Sequence, residues 1–392
     1  MEPVPKPFSS RTGWNLAETA YARAVREARS SGRRLYDLTV SNPTTCGFQY
    51  DDGSILAPLC NAAALTYDPD PRGILAARQA VAGYYGDHGA AVSPEQIVLT
   101  TSTSEAYSFL FRLLCDPGDE VLVAQPGYPL FAFLADLDDV RLNSHPLFYD
   151  HGWHIDREML ERRITPRTRA ILLVHPNNPT GHFTAAAERA HMETLCERHG
   201  LALIVDEVFL DYGLASAPCN HSFMTGAQPV LTFVLSGMSK IAGLPQMKVA
   251  WVATAGPQPA RQQALARLEV IADTFLSMNA PAQHALPHWL AGRGGMQRQI
   301  QERVAANLAQ LDRVCAPSSP MQRLRLEAGW NAILRVPANE DDQTLASRLL
   351  AEQGTIVHPG SFYGMAAAGR LVVSLICPVA DFAAGLERIA LA

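Results

Sequence analysis

The chain has 392 residues, of which 48% are hydrophobic and 18% are charged, and its formal net charge is −6 at pH 7. By the usual prior this length predicts roughly two to three domains with a sizeable core. The composition is close to the globular average, which excludes a disordered or fibrous protein. Proteins that bind nucleic acid normally carry a basic surface, so the acidic balance argues against such a partner.

The cysteine and hydropathy patterns predict a cytoplasmic protein. Cysteines lie at positions 46, 60, 115, 196, 219, 315 and 377 without a C-x-x-C pair, which fits free thiols better than a disulfide framework. The first residues lack the apolar segment of a secretion signal, and no run approaches the roughly 18 apolar residues that a membrane helix needs. We expect no membrane contact. No metal site is expected either, because His151/His154 and His284/His288 lack a carboxylate or thiol at ligand spacing.

Residues 1–44 are predicted to form an arm, a helix and a strand. The helix is indicated by the apolar positions Leu16, Ala20, Ala24 and Ala28, and Gly32 ends it. The strand covers residues 35–40 and leads into Ser41-Asn-Pro-Thr44. A proline-rich loop at residues 67–73 then precedes a helix that carries Leu75, Val81 and Tyr84.

Between residues 97 and 253, short apolar runs alternate with stretches of helix length. The runs cover residues 97–99, 120–124, 170–174, 201–205, 231–235 and 249–253. Continuously apolar strands are buried on both faces, as in a mostly parallel sheet flanked by helices. The sequence therefore predicts an α/β fold.

The pattern changes after about residue 280. Ile300, Val304, Leu308 and Leu311 predict a long amphipathic helix, and alternating segments follow at residues 330–336 and 370–374. These features predict a smaller α+β domain. We expect residues 1–44 to form the arm and part of the small domain, residues 45–285 the large domain, and residues 286–392 the rest of the small domain.

A lysine follows one of the apolar runs directly. The run at residues 231–235 leads into Ser236-Gly-Met-Ser-Lys240. Open α/β sheets bind ligands at the carboxyl ends of their strands, and burial there lowers a lysine pKa and frees the amine as a nucleophile. A surface lysine in a loop is the more common alternative, since lysine is rarely buried.

Three other runs also end in polar residues. Thr103 and Ser104 begin a helix, whose first amides can bind an anion, although a plain helix cap has the same residues. Asn178 lies in a turn of prolines and glycine that is structural in many proteins. Asp206 places an acid at the end of a buried strand, where it needs a cationic partner.

Together these residues match the groups of pyridoxal 5′-phosphate. Lys240 suits the aldehyde, Asp206 the protonated ring nitrogen, Asn178 the phenolic oxygen, and the helix at Thr103 the phosphate. The cofactor withdraws electrons from a substrate α-carbon when its ring nitrogen stays protonated. The combination is far more specific than any one of its parts.

The chain resembles the class I/II aminotransferases of the fold-type I pyridoxal phosphate-dependent enzyme family. The resemblance runs from about residue 38 to 374. It is carried by Pro126-Gly-Tyr-Pro129, Asn178-Pro-Thr-Gly181, Asp206-Glu207, Ser239-Lys240, His358-Pro-Gly360 and Arg370. It implies the fold-type I architecture, with a large cofactor-binding domain.

The resemblance also implies roles at the cofactor. Lys240 would form the Schiff base and move the substrate proton, Asp206 would pair with the ring nitrogen, and Asn178 would bond the phenolic oxygen. The remaining cofactor contacts would be Tyr128 on the ring and Thr103, Ser104, Ser236, Ser239 and Lys248 around the phosphate. Two positions depart from the family: Phe209 replaces a common tyrosine and so removes a phenolic donor, and Lys248 stands where many relatives have arginine.

On the substrate side, the resemblance implies that Arg370 clamps the α-carboxylate and that Asn178 and the Ser41 backbone line the pocket. Tyr67 would reach the cofactor phosphate of a neighbouring subunit, which implies a homodimer with shared active sites. Aromatic residues near the pocket favour a neutral or aromatic L-amino acid, with a 2-oxo acid as acceptor; they are Phe8, Trp14, Phe209 and Phe362.

We therefore expect a ping-pong aminotransferase. Other reactions of the same cofactor are the alternative, namely a C–S or β-lyase, a decarboxylase or a cyclopropane-carboxylate-type synthase, because the sequence does not place the groups that select the reacting bond. A non-catalytic sensor domain that binds pyridoxal phosphate is a further alternative. Such regulators carry a winged helix ahead of this fold, whereas fewer than 45 residues precede the first site motif here, and Lys240 is retained.

Overall fold

The computed structural model of the protein describes residues 8–214, 221–337 and 340–391. Its strands are β1 (Tyr36–Asp37), β2 (Ile97–Thr100), β3 (Glu120–Gln125), β4 (Arg141–Tyr149), β5 (Trp153–Ile155), β6 (Thr168–Val174), β7 (Ala202–Asp206), β8 (Thr232–Gly237), β9 (Ala250–Ala255), β10 (Gln322–Arg323), β11 (Asn331–Arg335), β12 (Thr355–Ile356), β13 (His358–Pro359) and β14 (Arg370–Ser374). Its helices are α1 (Ala20–Ser30), α2 (Asp52–Leu56), α3 (Leu75–Asp87), α4 (Thr103–Leu114), α5 (Leu130–Leu137), α6 (Arg157–Arg162), α7 (Ala186–His199), α8 (Met238–Ile241), α9 (Gln258–Phe275), α10 (Ala280–Gly292), α11 (Gly294–Val314), α12 (Asp342–Gln353) and α13 (Val379–Leu391).

The larger sheet has the strand order β2-β9-β8-β7-β6-β3-β4-β5. Neighbouring strands from β8 to β4 run parallel. Strand β9 is antiparallel to both of its neighbours, and β5 is antiparallel to β4. All six predicted apolar runs form strands of this sheet, and the predicted α/β fold with a mostly parallel sheet is confirmed.

Apolar layers cover both faces of this sheet. On one face, Leu203 and Val205 of β7 pack in a cluster with residues of α3, α7 and α10. On the other face, Ala202 and Ile204 pack in a cluster with residues of α4, α5 and α9. Since successive side chains of a strand point to opposite faces, a strand between two helix layers must be apolar at every position. This explains why the continuous runs identified the strands.

The smaller sheet has the order β10-β11-β14-β13 and is antiparallel. The N-terminal segment packs with the C-terminal part of the chain, because β1 pairs with β12 in a separate two-stranded sheet and Leu38 packs with Phe382 and Leu386 of α13. Gly385 permits that approach, since a Cβ there would lie 2.8 Å from a methyl group of Leu38. The predicted domain boundaries at residues 44 and 285 stay a prediction.

Two local predictions differ from the structure, and one strand was not predicted. The first helix begins at Ala20 because Thr19 caps it, accepting the Ala22 N–H at 3.1 Å, and Leu16 is 85% exposed ahead of it. Only Tyr36–Asp37 of the strand predicted at residues 35–40 is paired. Strand β4 was not predicted because its sequence is mixed and contains Pro146, which strands near a sheet edge tolerate.

Among the helices described, none is long and apolar enough to cross a membrane.

Candidate active site

A cavity of about 450 Å³ lies at the carboxyl ends of β6, β7 and β8. Most of the predicted site residues line it together. They are Ser41, Thr103, Ser104, Tyr128, Asn178, Asp206, Phe209, Ser239, Lys240 and Lys248. These residues come from separate strand ends of the large sheet and from the N-terminal segment, and the fold brings them together around one cavity.

Lys240 lies in α8, which begins directly after β8. The strand approaches the chain after Lys248 so closely that a Cβ on Gly237 would lie 2.9 Å from the Val249 carbonyl oxygen. The lysine is partly buried, and desolvation lowers its pKa to about 8, against the opposing effect of the Asp206 carboxylate. The amine is therefore neutral in a substantial fraction of molecules at mildly alkaline pH, as a nucleophile or proton carrier requires.

Two aromatic rings lie beside the amine of Lys240. Its Nζ is 4.8 Å from the ring centre of Trp330 and 5.5 Å from that of Phe209. The two rings pack edge to face and are buried. Such faces stabilise the ammonium form modestly while excluding water. Phe209 supplies a ring at this place and no hydroxyl.

Asp206 ends β7 and is buried. Its Oδ2 accepts a hydrogen bond of 2.7 Å from the Tyr107 hydroxyl, and its Oδ1 accepts one of 3.0 Å from the Val208 N–H. Desolvation raises the pKa of the carboxyl group, whereas these bonds and Lys240 oppose the shift. A cationic ligand atom in the cavity would hold the carboxylate ionised.

The N-terminus of α4 forms one end of the cavity. Ser102 caps the helix and accepts the Glu105 N–H at 3.1 Å. The backbone N–H groups of Thr103 and Ser104 have no acceptor among the residues described. Lys248 lines the same cavity and has a φ of 53°, which non-glycine residues rarely adopt. Free amides and a cation together make an anion site.

Asn178 is oriented by a second asparagine. Its Oδ1 accepts a hydrogen bond of 2.8 Å from the side-chain amide of Asn331 in β11. The Asn178 amide nitrogen is thereby left to donate to a ligand in the cavity. This contact also joins the large sheet to the small one across the cavity.

Three predicted residues lie elsewhere. Ser236 does not line the cavity, because it points into the sheet interior and its hydroxyl lies 3.5 Å from the Glu207 carbonyl oxygen. Arg370 does not line the cavity either. It lies at the start of β14 in a neighbouring cleft, where its guanidinium donates to the Ala368 carbonyl at 3.3 Å. The predicted phosphate contact of Ser236 and carboxylate clamp of Arg370 stay predictions, and within this chain neither side chain lines the cavity.

Tyr67 also lies outside the cavity within this chain. Its side chain is 77% exposed and lines a separate surface cavity with Leu65 and Leu276. Its predicted contact with a neighbouring subunit stays a prediction.

The structure adds residues that the sequence did not identify. Tyr107 bonds Asp206, and Trp330 and Asn331 place a ring and an amide beside Lys240 and Asn178. His358 belongs to a predicted motif without a predicted role, and it lines the cavity. Tyr107 follows Thr103 by four helical positions, which is a signal that sequence analysis could have used. The other three come from the distant small sheet and had no local signal.

Comparison with known proteins identifies the family. Residues 64–389 match the family described as aminotransferase class I and II, so the chain belongs to the class I and II aminotransferases. It is 28% identical to the glutamate–pyruvate aminotransferase AlaA of Escherichia coli strain K12 over 271 residues, which cover 69% of this chain and 67% of that protein. It is 27% identical to an alanine aminotransferase of Mycobacterium tuberculosis strain H37Rv over 374 residues, which cover 92% and 86%.

The fold agrees with the family. The structure of an alanine aminotransferase from Pyrococcus furiosus matches with a TM-score of 0.86, 21% sequence identity and 98% coverage of both chains. The predicted family and the predicted enzyme class, an aminotransferase, are confirmed.

Proposed function

We propose that this aminotransferase binds pyridoxal 5′-phosphate in the cavity and moves the amino group of a neutral or aromatic L-amino acid to a 2-oxo acid. The observation that carries the proposal is the convergence of Lys240 and the buried Asp206 on one cavity, whose far end has the free amides of α4. When bound, the cofactor supplies an aldehyde for amines and a ring that withdraws electrons from the substrate α-carbon.

The residues present fit this cofactor. Asp206 is a buried acceptor without a cationic hydrogen-bond partner among the residues described, which suits a protonated ring nitrogen. The amides of Thr103 and Ser104, with Ser239 and Lys248 on the same cavity, suit the phosphate. The free amide of Asn178 suits the phenolic oxygen, and the ring of Tyr128 offers a stacking surface.

Among the residues of the chain, Lys240 would act as the nucleophile and transfer the substrate proton. Because burial disfavours its charge, its amine can attack an aldehyde carbon and later accept a proton from the substrate α-carbon. Asp206 would hold the ring nitrogen protonated, with Tyr107 and the Val208 N–H fixing its orientation. The rings of Phe209 and Trp330 would keep water away from the amine.

A neutral substrate side chain fits the lining of the cavity. No arginine contributes to this lining within the described ranges, so a distal carboxylate would have no guanidinium partner there. Tyr128, Phe209 and Phe362 contribute apolar surface instead. The names of the two curated relatives, which act on alanine or on glutamate and pyruvate, support a small or neutral donor and pyruvate or another 2-oxo acid as acceptor.

We also propose a homodimer in the cytoplasm. The side chains of Tyr67 and Leu65 are exposed in the single chain, and a second subunit would bury this apolar surface, which supports the proposed dimer. The cysteines of the described ranges are free thiols, as in a reducing compartment; Cys219 lies outside those ranges.

The lysine content of the chain permits a decisive test. Lysine occurs only at positions 6, 240 and 248. Borohydride reduction of the protein with pyridoxal 5′-phosphate, followed by peptide mass mapping, should place the covalent label on Lys240. A label confined to Lys6 or Lys248 would refute the assignment.

The matching activity test compares two variants. Lys240→Ala should lower the rate of amino transfer from alanine or phenylalanine to pyruvate by at least ~10²–10⁴-fold, the usual contribution of a proton-transferring group. Lys248→Arg keeps the charge near the anion site and should retain most of the rate. Equal loss in both variants would show that the effect is not specific to the Lys240 amine and would contradict its assigned role.

A further inference from the structure

A second cleft lies beside the cavity, between the large and small sheets, with a volume of about 510 Å³. Arg163, at the end of α6, contributes to it from the large domain. Arg335 of β11 and Arg370 of β14 contribute from the small domain. We call it the arginine cleft. Its wall also includes the apolar side chains of Trp153 and Leu324.

The arginine cleft has an unbalanced positive charge. Its lining contains these three arginines and no aspartate or glutamate from the described part of the chain. Within the same ranges, no carboxylate lies at ion-pair distance from any of the three guanidinium groups. In the described part of the chain, Arg335 donates to the Gln322 side chain, and Arg370 donates to backbone carbonyls. The chain as a whole is acidic, with a formal charge of −6, so this local excess is not a general property of the surface.

Two of the arginines face each other across neighbouring strands. Arg335 and Arg370 are direct cross-strand partners in the antiparallel pair of β11 and β14. Like charges in this position destabilise a sheet. Burial and then the charge of Arg335 lower the pKa of Arg370, and Asp342, which accepts the Arg370 backbone N–H at 3.1 Å, opposes this shift. An anion between the two guanidinium groups would relieve their repulsion.

The cleft also adjoins segments that form the active-site cavity. Gln125 and Pro126 line the cleft, and Tyr128 lines the cavity two residues later. On the other side, Gly364 packs so closely on Gln125 that a Cβ would lie 2.2 Å from its side-chain nitrogen. The Gly127 N–H donates to the Tyr363 carbonyl at 3.1 Å, which links the two segments directly.

We propose that the arginine cleft binds a small organic anion with two or more carboxylate or phosphate groups, which bridges Arg163 to the Arg335–Arg370 pair. Guanidinium groups bind both chemistries through paired, charge-assisted hydrogen bonds. Because the anion contacts both domains next to Tyr128 and Tyr363, its binding couples to the affinity of the cavity for substrate. The cleft is separate from the catalytic residues, and its occupation does not depend on their roles.

Calorimetric titration of the enzyme saturated with pyridoxal 5′-phosphate tests the proposal. Citrate and pyrophosphate are the two probes, and sodium chloride at equal ionic strength is the blank. Saturable binding of either probe is expected, and the tighter one identifies carboxylate or phosphate as the preferred chemistry. Titrations with a competitive substrate analogue present exclude binding in the cavity itself. The absence of saturable binding by both probes would overturn the proposal.

Matched variants locate the binding. Arg335→Gln and Arg370→Gln should each lower the binding affinity for the probe at least about tenfold, the effect of losing one charge-assisted hydrogen bond. Arg323→Gln is the control, because Arg323 lies in the same small sheet but pairs with Asp312 at 2.7 Å outside the cleft. It should leave the affinity within about twofold. Equal weakening in all three variants would show a general charge effect and refute the site.

Discussion

At the residue scale, His358 is a titratable cavity residue that has no role in the proposed binding of the cofactor. Its Nδ1 lies 3.0 Å from the Tyr363 hydroxyl, its ring packs on Phe362 at 5.3 Å, and it lines the cavity. Burial lowers its pKa below the usual 6.5, and Asp37 opposes the shift. Arg370 lies in the neighbouring cleft. Within the described ranges, three residues that line the cavity can carry a positive charge, namely Lys240, Lys248 and His358.

We therefore expect His358 to contact the substrate carboxylate. The proposed function assigns Lys240 and Lys248 to the cofactor, so His358 is the remaining described residue of this lining that can carry a positive charge. A carboxylate binds protonated histidine better than neutral histidine, and the pKa of free His358 is low. Lowering the pH from 8 to 6 should therefore tighten the binding of a non-reactive carboxylate such as 3-phenylpropionate, measured by competitive inhibition.

The substitution His358→Gln should weaken this inhibition roughly tenfold at pH 6 and should flatten its pH dependence. His154→Gln is the control, since His154 is exposed in β5 and does not line the cavity. An unchanged pH dependence in His358→Gln would show that the carboxylate is held by another group.

At the element scale, the end of β7 places two carboxyl groups in different environments. Because side chains alternate along a strand, Asp206 faces the cavity and Glu207 faces away from it. Glu207 accepts hydrogen bonds from the Ser222 hydroxyl at 2.7 Å and from the Phe223 N–H at 2.5 Å. Burial still raises its pKa from 4.5 to about 7. The folded protein therefore binds this proton more tightly than the unfolded chain.

This difference predicts a pH-dependent stability. The protonated form of Glu207 stabilises the fold fully below about pH 4.5, and this contribution is lost as the pH rises through about 7. Glu207→Gln keeps an uncharged group that can accept from Phe223 and donate to Ser222. Between pH 5 and pH 8, the wild type should lose about 2–3 kcal/mol of unfolding free energy relative to this variant. Urea unfolding at both pH values measures the change, and a constant difference would contradict the pKa of Glu207.

The strands of the large sheet differ in how well the sequence predicts them. The strands of the large sheet were predictable because helices cover both faces, which demands uninterrupted apolar runs such as that of β7. Lys240, Asp206 and Asn178 were predictable because each follows such a run. Strand β4 was not, since its mixed sequence reflects a position near the edge.

The positions of two predicted site residues outside the cavity have a physical cause of the same kind. Ser236 lies inside β8, where its buried hydroxyl lies near the Glu207 carbonyl oxygen, whereas Ser239 lies beyond the strand and lines the cavity. Arg370 lies at the start of β14 and lines the neighbouring cleft, so its predicted role at the substrate carboxylate stays a prediction. Trp330 and Asn331 were missed because contacts across more than 85 residues leave no local pattern.

At the scale of the whole molecule, Tyr67 raises the question of how subunits share the site. Within one chain its side chain is exposed next to Leu65, which is 91% exposed, and Leu276. An exposed apolar group of this size is typical of a protein–protein interface. A two-fold axis at this surface would place the same residues of both subunits against each other.

Mixed dimers test whether Tyr67 completes the site of a neighbour. Equal amounts of inactive Lys240→Ala and Tyr67→Ala chains are refolded together with pyridoxal 5′-phosphate, so that half of the dimers are mixed. If Tyr67 acts across the interface, each mixed dimer contains one site with both residues intact, and about a quarter of the wild-type activity should return. Mixing Lys240→Ala with a chain that carries both substitutions is the control and should restore nothing. If Tyr67 acts within its own subunit, or if the chain is a monomer, every site keeps one defect and the first mixture also stays inactive.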